Sequence, residues 1–281
     1  MPDPVRLLRT LEQAVEAFRK TPGRKGRLIE ATEAEEVLVV GDLHGHLENF
    51  RRVLEIAQLN KNPNRHLVVQ ELVHGPFRYA AGGDKSHQLL DLVAALKCQY
   101  PQQVHLLLGN HELAQWTCEP IAKVDDDLNT LFCQGVDTAY GRHARDIYVI
   151  YHKLFATIPV AVRTPNRVFI SHSLPSGIRL EKFNPAALTL DPSPEDELYA
   201  GGSIHALLWG RNTTSKHVAR FLQKVDADYL ISGHIPCEHG HEVPNDRQII
   251  LDAMGTPACY CLFPANRPLT QKELVGCIGK L

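Results

Sequence analysis

The chain has 281 residues and a formal net charge of -2, with 44% hydrophobic and 22% charged residues. That near-neutral balance argues against nucleic acid or an anionic membrane surface as a partner. No apolar run approaches the ~18 residues a membrane-spanning helix needs.

The opening residues Met1-Pro2-Asp3-Pro4 lack the apolar region of a signal peptide. The seven cysteines, an odd number with no C-x-x-C, fit reduced thiols and a cytoplasmic setting. Cys259 and Cys261 share a face of a predicted strand and read as packing residues. Leu8, Leu11, Val15 and Phe18 mark one face of an N-terminal helix, closed by Thr21-Pro22-Gly23. A short strand is expected near residues 27–30. Residues 1–36 are thus expected to pack as a helix and strand on a larger unit, residues 37–281.

Val37-Leu38-Val39-Val40-Gly41 reads as a buried strand that stops on Asp42, with His44 two residues later. Phe50, Val53, Leu54 and Ala57 give a helix. His66 to Gln70 is the next strand and ends on Glu71. The Gly/Pro/Arg-rich stretch 75–83 breaks the rhythm and reads as a loop. A helix with Leu89, Leu92, Val93 and Leu96 follows. The strand 104–108 then ends in Gly109-Asn110-His111-Glu112.

Residues 113–157 read as mostly helical, with Asp125-Asp126-Asp127 as a solvated turn. Short strands at 160–162 and 168–170 follow, the second ending at Ser171-His172. Residues 181–203 read as a surface loop. Val218, Phe221, Leu222 and Val225 mark a helix. The strand 229–231 ends at Gly233-His234, the strand 249–251 at Asp252, and 258–263 is a last strand.

The chain holds 15 histidines, and a lone imidazole at a strand end is more often hydrogen-bonded structure than a ligand. Here several strands end in metal-type donors: Asp42 with His44, Glu71, Asn110 with His111, His172, and His234. In open α/β sheets that end is where ligands bind. Buried carboxylates and imidazoles side by side are costly without a compensating cation.

Gly41-Asp42-Leu43-His44-Gly45, Gly109-Asn110-His111-Glu112, His172 after Val-Phe-Ile, and Gly233-His234 resemble the motifs of the calcineurin-like metallophosphoesterases. The leucine-rich helix before Tyr100-Pro101 and the run Leu207-Leu208-Trp209 are similar to the phosphoprotein phosphatase branch. That branch includes serine/threonine phosphatases and symmetrical dinucleoside tetraphosphatases. The resemblance runs from about Val37 to Asp252.

It implies a four-layer α/β/β/α sandwich with a two-metal site. Asp42, His44 and His234 would hold one ion, Asn110 and His172 the other, and Glu71 would bridge them. Carboxylate, amide oxygen and imidazole suit Mn, Fe, Zn or Ni. The implied reaction is in-line attack of metal-bound hydroxide on a phosphomonoester. His111 would protonate the leaving alkoxide, a task worth roughly 10²–10⁴-fold. Arg211 reads either as the phosphate ligand or as an exposed loop arginine.

The second motif departs from the family's GDxxDRG. Here it is Gln70-Glu71-Leu72-Val73-His74-Gly75-Pro76. Glu71 stands for the bridging Asp, and His74 for the carboxylate that orients the catalytic His. Arg78 and Asp84 are the nearby substitutes, although Asp84 also reads as a cap for the helix near Ser86. Asp252 reads as a hydrogen-bond support for the histidines.

Three functions are compatible with this set. The first is a protein or small-molecule phosphomonoesterase. The second is a dinucleoside polyphosphate hydrolase. The third is a phosphate-recognising relative with weak turnover.

Overall fold

The computed structural model describes residues 3–123 and 126–281. The first half runs α1 (Pro4–Arg19), β1 (Arg24–Lys25), β2 (Leu28–Glu30), β3 (Glu36–Asp42), α2 (Leu47–Ala57), β4 (Arg65–Gln70), α3 (His87–Gln99), β5 (Val104–Leu107), α4 (Asn110–Thr117), β6 (Ala122–Lys123), β7 (Asp126–Asp127), α5 (Leu128–Tyr140) and α6 (Ala144–Phe155). The second half runs β8 (Ala161–Arg163), β9 (Val168–Ser171), α7 (Ile178–Lys182), α8 (Ser203–Trp209), α9 (Ser215–Lys224), β10 (Tyr229–Ser232), β11 (His241–Asn245), β12 (Gln248–Leu251), β13 (Cys259–Pro264), α10 (Gln271–Val275) and β14 (Ile278–Lys280).

The apolar run of β3 explains the layering. Side chains alternate across a strand. Val37 and Val39 join Val68, Leu107, Ile170, Ile231 and Ile249 in a core between two sheets. Leu38 and Val40 face the other way, into a second core with Phe50 and Val53 of α2 and Leu89 and Val93 of α3. Both faces of the strand are buried, so its sequence is continuously apolar.

One sheet has the order β14-β13-β3-β4-β5, and the other β1-β2-β8-β9-β10-β12-β11. On the far face of the second sheet, Phe169 meets Phe221 of α9 edge to face at 5.7 Å. The result is the four-layer α/β/β/α sandwich. Strands β3, β4 and β5 are parallel, as are β9, β10 and β12. Their C-terminal ends therefore present side chains along common edges.

Several local expectations shift. The buried stripe of α1 is Leu7, Leu11, Ala14, Val15 and Phe18, with Leu8 at its margin. Residues 181–203 do not lie simply on the surface. Two short 3-10 turns there bury Ala187, Leu188 and Leu198, and Arg27 Nε donates to Ser193 Oγ at 3.0 Å. Their apolar residues follow no periodicity, so composition alone suggested a loop. Asp126 and Asp127 are exposed, and Asp127 caps α5 by accepting from Thr130 N at 3.2 Å. Asp125 lies outside the described residues. Strands β11 and β14 and helix α10 are too short for a periodic signal, although Thr270 and Glu273 form a legible capping box.

Lys97 ties the start of the chain to the sheet. It is fully buried, and Nζ donates to Thr21 Oγ1 (2.8 Å), Pro101 O (2.6 Å) and Val104 O (2.9 Å). Lys97→Met keeps most of the volume but strands the buried Val104 carbonyl and the part-buried Pro101 carbonyl. At about 1–3 kcal/mol for each such group, the variant is expected to lose about 2–4 kcal/mol in denaturant unfolding. An unchanged midpoint would show that water replaces the ammonium.

Candidate metal centre

The polar residues that end the strands converge. Asp42 closes β3, Glu71 follows β4, and Asn110 and His111 open α4 just after β5. His172 and His234 follow β9 and β10 in the other sheet. Hydrogen bonds join the sheets here. His234 N donates to Asp42 Oδ2 at 2.9 Å, and His172 Nδ1 lies 3.1 Å from Gln70 Oε1.

His172 is the crowded point. Its Nε2 lies 2.7 Å from Glu71 Oε2, 2.8 Å from Asn110 Oδ1 and 3.1 Å from His234 Nδ1. Two donor triads form, each with its ligand atoms within 4.8 Å of one another: Asp42, Glu71 and His172, and His44, Glu71 and His111. Glu71 belongs to both. This grouping differs from the one the resemblance implies, since Asp42 sits with His172 and His44 with His111.

The residues fit a cation on two grounds. First, Asp42 Oδ1 and Glu71 Oε2 are buried and accept no hydrogen bond. Glu71 Oε2 is close to His172 Nε2 but outside hydrogen-bonding geometry. Gln70 Oε1 takes the proton of His172 Nδ1, so the neutral ring leaves a lone pair on Nε2. Val73 O holds His44 Nδ1 in the same way at 2.8 Å. The lone pairs of Glu71 Oε2 and Asn110 Oδ1, at 2.7 and 2.8 Å from that of His172 Nε2, match neighbouring corners of a shell with metal–ligand distances of about 2.0–2.2 Å.

Second, the protein alone does not favour the charges. Burial pushes Glu71 up to about 8, and burial with the neighbouring Glu71 carries Asp42 well above its usual range. Burial drives His172 down to about 3 and His234 to about 2. Neutral imidazoles and carboxyls that ionise only beside positive charge are the donors a divalent ion takes.

The backbone is held to suit. His44, Glu71, His74 and His234 all adopt positive φ, between 40° and 68°. Such non-glycine residues cost on the order of 1–3 kcal/mol each and cluster at functional sites. Glu112 fixes the end of β4: Oε1 accepts from Leu72 N (2.7 Å) and Val73 N (3.1 Å), and Oε2 from Gly109 N (3.2 Å). The glycines of two motifs also have a role here. A Cβ on Gly109 would meet Glu71 Oε2 at 2.2 Å, and one on Gly233 would meet Asp42 Oδ1 at 2.2 Å. Only glycine lets each carboxylate lie across the neighbouring strand end.

The family model of calcineurin-like phosphoesterases matches residues 36–238. The chain belongs to that family.

Other phosphoesterases align along most of it. Serine/threonine-protein phosphatase 5 of Solanum lycopersicum is 23% identical, over 83% of this chain and 42% of that protein. The protein of the same name from Homo sapiens is 24% identical, over 83% and 47%. The chain thus spans under half the length of these relatives. A serine/threonine phosphatase structure from Saccharomyces cerevisiae superposes with a TM-score of 0.68 at 16% identity, covering 100% of this chain and 89% of that one. A cold-active protein-tyrosine phosphatase from a Shewanella species gives 0.61 at 16%, covering 95% and 84%.

Not every residue read from the sequence reaches this centre. Arg211 does: its Nε donates to His234 Nε2 at 3.1 Å, and the residue is exposed at the rim. Arg78 is otherwise engaged, bonded to Gly75 O and 3.7 Å from both Asp84 and Asp126. Asp84 accepts from Ser86 N (2.7 Å) and Gly75 N (3.1 Å), closing the loop before α3. Asp252 accepts from Cys237 N and Met254 N, at 3.0 and 2.9 Å, and so holds loop backbone instead of an imidazole.

His46 caps α2, accepting from Asn49 N at 3.3 Å. His74 faces His111, with their Nδ1 atoms 3.0 Å apart. Sequence reasoning missed Gln70, Glu112 and Gln115 as functional residues. The available signal for Gln70 was an amide closing an otherwise apolar strand.

Proposed function

We propose that this chain is a dinuclear-metal-dependent phosphoester hydrolase acting on phosphomonoesters, with phosphoserine or phosphothreonine in protein as the first substrate class. The observation that carries this reading is Glu71, shared between two donor triads with one carboxylate oxygen orphaned. Asp42, His44, Asn110, His172 and His234 complete the ligand set. A pair of Mn, Fe, Zn or Ni ions held there supplies Lewis acidity and a nucleophile at neutral pH. The names of the serine/threonine phosphatase relatives favour a protein substrate. The seven unpaired cysteines suit a cytoplasmic site of action. Residues 37–281 form the phosphoesterase unit in this reading, with residues 1–36 packed on it.

The protein's own residues bind and move protons. Arg211 sits beside His234 with an exposed guanidinium that can turn to a phosphoryl group and hold two oxygens at once. His111 handles a proton at the leaving oxygen. Arg78 contributes to phosphate binding only if substrate draws it from Asp84 and Asp126. Arg211→Ala is expected to lower kcat/KM by about 10²-fold, with Arg211→Lys recovering part of it. Equal rates for all three proteins would remove Arg211 from substrate binding.

The deciding experiment couples metal analysis to a panel of phosphopeptide, aryl phosphate and diadenosine tetraphosphate in the presence of Mn. Turnover of the phosphopeptide supports this reading, and turnover of the dinucleotide alone moves the substrate class. Bound metal with no turnover would leave a phosphate-recognising relative. The altered second motif is the feature that favours that alternative.

A further inference from the structure

We propose that Gln115 is a positioning residue of the hydrolysis, fixing through His74 which nitrogen of His111 carries the proton. This rests on the phosphoester hydrolase reading above. Gln115 lies one helical turn beyond His111 on α4 and is 1% exposed. Its amide is held at both ends. Nε2 points at Tyr148 Oη and, at 3.7 Å, at Cys133 Sγ. Oε1 lies 2.7 Å from His74 Nε2. His74, 6% exposed, places its other nitrogen 3.0 Å from His111 Nδ1.

Each link admits one proton. An amide oxygen can only accept, so His74 Nε2 donates to Gln115 Oε1. His74 Nδ1 then bears a lone pair, and His111 Nδ1 must donate to it. In this orientation the two amide hydrogens of Gln115 go to the phenol oxygen of Tyr148 and the thiol sulfur of Cys133 on its far side. His111 is thereby left with a lone pair on Nε2, the nitrogen available to the site it shares with His44 and Glu71.

This chain differs from one in which a carboxylate faces the catalytic histidine. Every member of the relay is neutral, so His111 begins as a proton acceptor. The water that becomes the nucleophile gives one proton to solvent, and Nε2 takes one proton from solvent before the attack. As the bond from phosphorus to the leaving oxygen breaks, that proton passes from Nε2 to the alkoxide, and the imidazole returns to its starting form. Atoms and charge balance with no further reactant.

The test uses the full chain loaded with Zn and labelled with ¹⁵N at histidine. Long-range ¹H–¹⁵N correlation should show His111 as the Nδ1–H tautomer. Gln115→Met, which keeps the volume but not the amide, should give mixed tautomers at His74 and His111. Its kcat should fall about 10²-fold with KM within about twofold and zinc content unchanged. Gln115→Glu keeps an accepting oxygen, so it should preserve the tautomer and recover most of kcat.

An Nε2–H tautomer at His111 in the unaltered protein would overturn the proposal. So would an unchanged tautomer and kcat in Gln115→Met. If that variant does not fold, the unaltered protein and Gln115→Glu still decide the matter. A protein that turns over no phosphoester refutes the hydrolase reading alone, because the tautomer measurement needs no turnover.

Discussion

Glu71→Gln is expected to cost at least one bound metal ion and to lower kcat/KM by about 10³-fold or more, the several kcal/mol of charge stabilisation a metal site supplies. The side chain keeps its shape and can still accept from His111 N, a bond of 2.9 Å. It loses the negative charge of the carboxylate that the two triads share. A second readout separates lost metal from lost fold. Burial holds Glu71 at about 8 against an ordinary 4.5, so the folded chain binds more protons than the unfolded one across that window. In metal-free protein the contribution of Glu71 is therefore lost as pH rises from about 4.5 toward 8, whatever the lowered histidines add over the same range. The amide does not titrate. The metal-free variant should be at least as stable as the metal-free original at pH 7.5, by thermal melting. A full complement of two ions in the variant would exclude Glu71 as a shared ligand.

Glu112→Ala carries the largest expected stability loss. Glu112 is fully buried and accepts three backbone N–H groups, from Leu72, Val73 and Gly109. Truncation leaves all three without partners in a dry site. The expected cost is about 3–5 kcal/mol, or a fall of roughly 10 °C in Tm for a chain of this size. Leu72 and Val73 directly follow Glu71, so metal affinity should fall along with stability. Glu112→Gln restores the volume but turns an amide nitrogen toward one of those donors, and should recover only part of the loss. A melting point within 2 °C of the original for Glu112→Ala, a window set by about 1 kcal/mol, would mean that water satisfies the strand end.

How much of this could be read from residues alone depended on range. The strands at 37–41, 66–70 and 104–108 were legible because burial on both faces leaves an unbroken apolar run. The donors that end them were legible because polarity there interrupts such a run. Their convergence followed from parallel strands sharing one edge. The role of Glu112 was hidden, since its partners at Leu72 and Val73 are set by tertiary structure and not by local spacing. Gln115 was hidden for the same reason: its position on a helix says nothing about the histidine it meets from another loop. Arg78 shows the converse. Its place in the sequence suggested the phosphate, and two aspartates and a carbonyl now hold it.

The proposed ligand set draws on both halves of the sandwich: Asp42, Glu71 and Asn110 come from one sheet, His172 and His234 from the other. An ion bound among them would also be a rivet. Parting the layers would require breaking coordination bonds, so occupancy and mechanical integrity are thermodynamically linked. Chelation should loosen the seam between the sheets before it disturbs either sheet alone, with faster amide exchange at Ile170, Ile231 and Val39 as its first sign.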